Sequence, residues 1–189
     1  MKDSYFGSYL DVRDGRNMLS IASPTNCLPS DGRKQIITLE NNMFNHTDVF
    51  PMNSDNGIDI SYWLNYERPI QIIIDGLEMY HSRTFFYRAI GLIVSNGDIL
   101  LQNVYLEDVQ SSLDDLYIEG DDTIIVRNLT MKYCGSFGRR TFSIYNAHYI
   151  EIDGFEHTDF PADRAPPNGV LILDTPNSIV LSGLYFHDN

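Results

Sequence analysis

The chain has 189 residues, enough for one domain with a sizeable core, and its 26 acidic against 13 basic side chains give a formal charge of −13. So acidic a surface repels phosphate backbones and argues against nucleic acid as a partner, while a 12% aromatic share argues against disorder. No apolar run reaches the length of a membrane span, the opening MKDS does not read as a signal peptide, and two cysteines without metal spacing, Cys27 and Cys134, indicate no disulfide framework.

Residues 1–34 fit no clear pattern and read as an N-terminal cap or lead-in, with NMLSIAS from Asn17 a further strand or part of that cap. From residue 35 one unit returns: apolar-x-apolar-x-(Gly or Asn)-apolar-x-apolar. Its centres are Asn41, Gly76, Asn103, Asn128, Gly154 and Gly183, at intervals of 25 to 35 residues. Isoleucine stands four positions before every centre, and Leu39, Ile74, Leu101, Val126, Ile152 and Leu181 stand two before. Asn42, Leu77, Val104, Leu129, Phe155 and Leu184 follow by one, and Phe44, Met79, Leu106, Met131, His157 and Phe186 by three. Only Asn42 and His157 depart from apolar.

Alternation with period two on each side of the centre predicts strands. The parity changes across the centre, so the chain must bend there to keep both apolar sets on one interior. A single-residue bend wants positive φ, which Gly takes freely and Asn tolerates best among the others. Between successive units lies another short strand: IDI at Ile58, LIV at Leu92, LYI at Leu116, FSI at Phe142 and VLI at Val170. No segment has helical periodicity. The expected fold class is all-β, a single-stranded right-handed parallel β-helix of about six coils of three short strands, spanning 35–189. A leucine-rich repeat, the competing solenoid, places its Asn differently and has one strand per unit.

IIIDGLEM, LLQNVYL, IVRNLTM and VLSGLYF resemble coils of the pectin-lyase-like superfamily, whose members include pectin-degrading enzymes, polysaccharide lyases and phage tailspikes. The resemblance covers roughly 35–189 and implies a fold more than an activity, because the pattern is a packing code. It also implies a substrate groove over the outer face of the short strands. The sequence stops at HDN directly after a strand, so the open coil is expected to be covered by further chain or a symmetry mate.

Parity along the short strands points Asp59, Ser61, Tyr117, Glu119, Ser143 and Tyr145 outward. Asp59 and Glu119 then stand two coils apart, roughly 10 Å by backbone, close to the separation of an inverting acid and base. The bland alternative is two solvated carboxylates. The preceding turns alternate in sign from coil to coil: Asp55, Arg88, Asp114 with Asp115, then Arg139 with Arg140. NSDNGIDI and LDDLYI resemble the Asn-Thr-Asp and Asp-Asp motifs of polygalacturonases, although an arginine coil intervenes and no Gly-His-Gly follows. That resemblance implies catalytic roles for Asp55, Asp114 and Asp115. The alternative is an ion ladder that fixes coil register, which would also depress the carboxylate pKa values.

SYWLNY places Tyr62, Trp63 and Tyr66 in a surface turn suited to stacking on sugar rings, or to covering the end of the core. Five positions after the bend stand His46, His81 and Asp108, which read as ordinary turn residues or, as two His and a carboxylate, as a metal set; the column continues with Tyr133, Asp159 and Asp188, which complete no such set. Asp121, Asp122 and Asp174 are expected in turns. Calcium is the one ion left open, since no loop has the spacing of a dedicated site, and no other cofactor is expected. DFPADRAPPNG, from Asp159, reads as a wall beside the groove. No nucleophile elbow, phosphate loop, zinc motif or Ser-His-Asp order is present.

The sequence therefore favours a tailspike-like or extracellular module that binds, and cleaves if it is an enzyme, a surface polysaccharide. Its candidate acids are Asp55, Asp59, Asp114, Asp115 and Glu119. Its candidate sugar contacts are Tyr62, Trp63, Tyr66, Arg88, Tyr117, Arg139, Arg140 and Tyr145. The competing reading is a non-catalytic β-helical segment of a viral appendage or adhesin. Either would form a homotrimer or larger spike, on a virion tail or outside the cell.

Overall fold

The computed structural model describes residues 5–7, 19–22, 35–45, 48–49, 57–62, 69–84, 88–136, 140–160, 169–174 and 176–187. In chain order the strands are β1 (Tyr5–Gly7), β2 (Leu19–Ala22), β3 (Gln35–Asn45), β4 (Asp48–Val49), β5 (Ile58–Tyr62), β6 (Ile70–Tyr80), β7 (Arg83–Thr84) and β8 (Ile90–Val94). There follow β9 (Gly97–Glu107), β10 (Asp114–Gly120), β11 (Thr123–Lys132), β12 (Arg140–Tyr145), β13 (Tyr149–Thr158), β14 (Leu171–Asp174) and β15 (Ser178–His187). Among the described residues there is no helix, and so none that could cross a membrane.

The strands alternate between two parallel sheets, ordered β1-β3-β6-β9-β11-β13-β15 and β2-β5-β8-β10-β12-β14, with β4 and β7 forming a small third. This is an all-β parallel solenoid. Tyr5–Gly7 and Leu19–Ala22, from the segment expected to be a cap, pair with β3 and β5 and so continue the two main sheets.

Every expected bend has positive φ: 50° at Asn41, 73° at Gly76, 54° at Asn103, 51° at Asn128, 75° at Gly154 and 60° at Gly183. The burial alternation reverses parity at that point, as in β6, where Ile70, Ile72 and Ile74 are buried before Gly76, and Leu77 and Met79 after it. Each bend nevertheless falls inside one continuous strand. Among the described residues a turn therefore pairs a long bent strand with a short one. One left-handed residue interrupts a single rung, and the ladder resumes on both sides of it.

The solenoid has about four turns, fewer than the six expected. Six bends bound five intervals, and the first, between Asn41 and Gly76, runs in large part outside the described residues.

Register converts the repeat into columns. Ile72, Ile99, Ile124 and Ile150 stack on one another, as do Leu77, Val104, Leu129 and Phe155, and all are at most 2% exposed. The short strands close the opposite wall with Ile58, Ile90, Leu116 and Phe142. Burial of each such side chain contributes roughly 1.5–3 kcal/mol, so the columns dominate the stability and the bends serve to aim them. Each of the two polar intruders makes a hydrogen-bond contact inside: Asn42 Nδ2 donates to Glu40 O at 3.0 Å, and His157 Nε2 lies 3.2 Å from Cys134 O. Cys134 is a buried free thiol.

A second corner repeats five residues after the bend. His81, Asp108, Tyr133 and Asp159 all have φ between 47° and 55°. Their backbone N–H groups donate along the stack, His81 to Glu107 O, Asp108 to Lys132 O and Tyr133 to Thr158 O.

Candidate functional site

The outer face of the short-strand sheet is the most chemically dense surface among the described residues. Its outward positions fall into two rows. The first runs Asp59, Gly91, Tyr117, Ser143, Ile172, and the second Ser61, Ile93, Glu119, Tyr145, Asp174.

These rows correct one expectation. Asp59 lies in the row of Tyr117, two residues along the strand from the row of Glu119. Two strand spacings combined with two residue rises put the Asp59 and Glu119 Cα atoms about 12 Å apart. The carboxylate that does share a row with Glu119 is Asp174, two strands away across Tyr145 at about 10 Å between Cα atoms. Asp174 was expected only as a turn residue. The signal that could have singled it out was its position four residues after Val170, once the start of that strand was fixed at Leu171.

At the strand starts the expected alternation of charge is present. Arg88 Nε lies 3.7 Å from Asp114 Oδ2. Asp114 pairs in register with Arg140, whose charge also acts on it, and Ser143 Oγ donates to Asp114 Oδ1 at 2.8 Å. Asp114 is 4% exposed. The ladder was expected to depress its pKa, but burial pushes the Asp114 carboxyl up, and the Ser143 hydroxyl and the two guanidinium groups offset only part of that. Asp115 is fully buried and faces Cys134, whose thiol is pushed far up by burial first and by the Asp115 charge second. Neither Asp114 nor Asp115 offers a carboxylate to a bulky ligand.

Aromatic rings lie between the ladder and the strand ends. The rings of Tyr117 and Tyr145 stack at 5.4 Å and 28°. Arg88 Cζ sits 3.4 Å above the Tyr117 ring and Arg140 Cζ 5.0 Å from that of Tyr145. The Tyr117 hydroxyl donates to Glu119 Oε2 at 2.6 Å, and burial together with that carboxylate pushes the phenol up, so it remains a donor. Asn146 Nδ2 donates to Glu119 Oε1 at 2.7 Å. Asn146 holds φ at 60° and belongs to neither bend column. At the other end of the sheet Ser61 Oγ donates to Asp59 Oδ1 at 2.5 Å.

The arrangement thus brings together Arg88, Asp114, Tyr117, Glu119, Arg140 and Tyr145, and leaves Asp59 apart. Asp55, Trp63, Tyr66 and Arg139 lie outside the described residues, and Tyr62 is described by its backbone alone. The Pro-rich excursion also falls largely outside them, as do His46 and Asp188. Of the column read as part of a metal set, His81 Nδ1 and Asp108 Oδ2 lie 3.1 Å apart at the second corner. No group of three or more His, Cys, Asp or Glu side chains among the described residues could hold a metal ion.

No family model, curated protein or solved structure matches the chain.

Proposed function

We propose that the chain is an extracellular carbohydrate-recognition module of the tailspike kind that binds a surface polysaccharide across the outer face of its short-strand sheet and hydrolyses it. The observation that carries this reading is the row Glu119, Tyr145, Asp174: two carboxylates flanking an aromatic ring at a backbone separation of about 10 Å, near the carboxyl separation of inverting glycoside hydrolases. In this reading the turn is a coil of the right-handed, three-strand pectin-lyase-like kind, and the polymer crosses successive strands.

The roles follow from position. Tyr145, whose ring stacks on the buried Tyr117, borders the sugar path, with Arg88 and Arg140 held against the two rings. Glu119 accepts two hydrogen bonds, an arrangement suited to a carboxylate base that takes a proton from water. The water oxygen bonds to the anomeric carbon as the glycosidic bond breaks. The departing sugar oxygen is protonated on the side where Asp174 stands, exposed beyond Tyr145. The charge of −13 favours a neutral or weakly acidic polymer, unless calcium bridges the two.

A structural role in an appendage is the second reading, favoured by the ladder Arg88, Asp114, Arg140, which a stacked segment needs without any ligand. The deciding assay measures reducing ends and unsaturated sugars released from a polysaccharide panel, with and without calcium. Wild type is compared with Glu119→Gln and Asp174→Asn. Release of reducing ends without ultraviolet absorbance, lowered at least about a hundredfold in each variant, supports hydrolysis at this pair. Unsaturated products would mean elimination instead. No release and no binding to any polymer would leave the structural role.

A further inference from the structure

The last described coil ends in an apolar edge. β15 pairs with β13 on one side, and among the described residues no strand pairs with the other. Its side chains are open: Ile179 is 44% exposed, Val180 and Leu181 45%, Tyr185 62% and Phe186 44%. Among the described strands it is also the only long one of its sheet without a charge. Glu40 lies in β3, Asp75 in β6, Asp98 in β9, Arg127 in β11 and Asp153 in β13, whereas SIVLSGLYFH contains no Asp, Glu, Lys or Arg. Charges on an edge are a common device against strand-to-strand association, and this edge lacks it.

We propose that this edge binds a second copy of the chain, tail to tail, through antiparallel pairing of β15 with its counterpart. The strand matches itself when reversed. The register that sets Ile179 against Phe186 of the second copy also sets Leu181 against Leu184, Val180 against Tyr185, and Ser182 against Gly183. The bend parity makes these matches work on both faces. Ile179, Leu181, Leu184 and Phe186 share the interior side, so the two cores join, while Val180 and Tyr185 meet outside. The two-fold axis passes through the bend and exchanges its arms, giving an isologous contact that closes at two copies.

Charge and area select this occupant. Two chains of −13 repel through most of their surfaces, and β15 lets them meet without opposing like charges. Five large residues near half exposure, at roughly 200 Å² each, offer about 500 Å² per copy and about 1,000 Å² in the pair. That meets the roughly 1,000 Å² that a biological interface should clear.

The test is the mass of the 189-residue chain by sedimentation equilibrium, with circular dichroism to confirm that each variant is folded. Wild type should be a dimer. Val180→Lys or Tyr185→Glu alone should weaken dimerisation by roughly thirtyfold or more, because each puts one charge against an apolar partner. The double variant should dimerise again, since the introduced ammonium of one copy then faces the introduced carboxylate of the other across the axis. Head-to-tail stacking never opposes positions 180 and 185, so single variants that lose association without rescue in the double variant would overturn the proposal. A monomeric wild type, a trimer, or dimers indifferent to both single changes would overturn it as well.

Discussion

Replacing Asn128 by alanine and by glycine separates the conformational demand of the bend from the hydrogen bond that the asparagine makes there. Asn128 holds φ at 51° and donates from Nδ2 to Asn103 Oδ1 at 3.1 Å. Left-handed backbone costs an alanine roughly 1–2 kcal/mol. Loss of an exposed hydrogen bond costs about 0.5–1 kcal/mol. Asn128→Ala bears both and should destabilise by about 2 kcal/mol. Asn128→Gly loses the same hydrogen bond and pays for its greater freedom in the unfolded chain, but adopts the bend without strain. The glycine variant should therefore be the more stable of the two, by about 1 kcal/mol, the reverse of the usual order inside a strand. For a domain of this size that is roughly 2–4 °C in Tm. Thermal and urea unfolding followed by far-ultraviolet circular dichroism reads the difference, with unchanged m values as the control. An alanine variant as stable as the glycine variant would refute the claim that left-handed backbone selects the residues of this column.

Gly97 is a harsher case. At φ 148° an added Cβ would lie 1.8 Å from the carbonyl oxygen of Ile70, which is backbone and cannot swing aside. Gly97→Ala should destabilise by more than about 4 kcal/mol, against a much smaller loss for Gly76→Ala, where the nearest atom is the movable Oδ1 of Asn41; similar melting temperatures for the two would contradict this. Asp114 gives a pH signature. Its folded pKa is raised above the ordinary 3.8, so the fold binds that proton more tightly than the unfolded chain does. Wild-type stability relative to Asp114→Asn should fall as pH rises from about 3.8 through the raised value and then level off, as read by urea midpoints across that range; a difference that grew with pH would mean that Arg88 and Arg140 outweigh burial.

What could be read in the sequence was whatever a single residue had to satisfy locally. The bend column was legible because only Gly and Asn meet its demand cheaply, and because isoleucine stands four residues before each centre. The second corner left a legible spacing too, and His81, Asp108, Tyr133 and Asp159, read first as ordinary turn residues, share left-handed backbone there. Apolar parity assigned Asp59 and Glu119 to the outer face correctly. The alignment of the strands at Ile58 and Leu116 was legible too, but Asp59 stands one residue after Ile58 and Glu119 three after Leu116, so they fall in different rows. The pKa of Asp114 escaped the sequence. Counting charges gives the sign of the ion-pair contribution, whereas the depth of burial that opposes it depends on how neighbouring coils cover the site.

Stacked parallel strands repeat every position at about 4.8 Å, so any column of like charge repels itself and any functional pair must be spaced by something else. At the strand starts the spacing is achieved with opposite charge, Arg88 and Arg140 on either side of Asp114. At the strand ends it is achieved with Tyr145, which separates Glu119 from Asp174. Strand stacking thereby sets the backbone separation on which the proposed pair rests. Asn146 adds to it. A residue at positive φ outside both bend columns carries a local cost that coil stacking does not require. What it gains is a donor held at 2.7 Å from Glu119, opposite the Tyr117 hydroxyl. In the proposed reading these two donors hold the Glu119 carboxylate in place as the base.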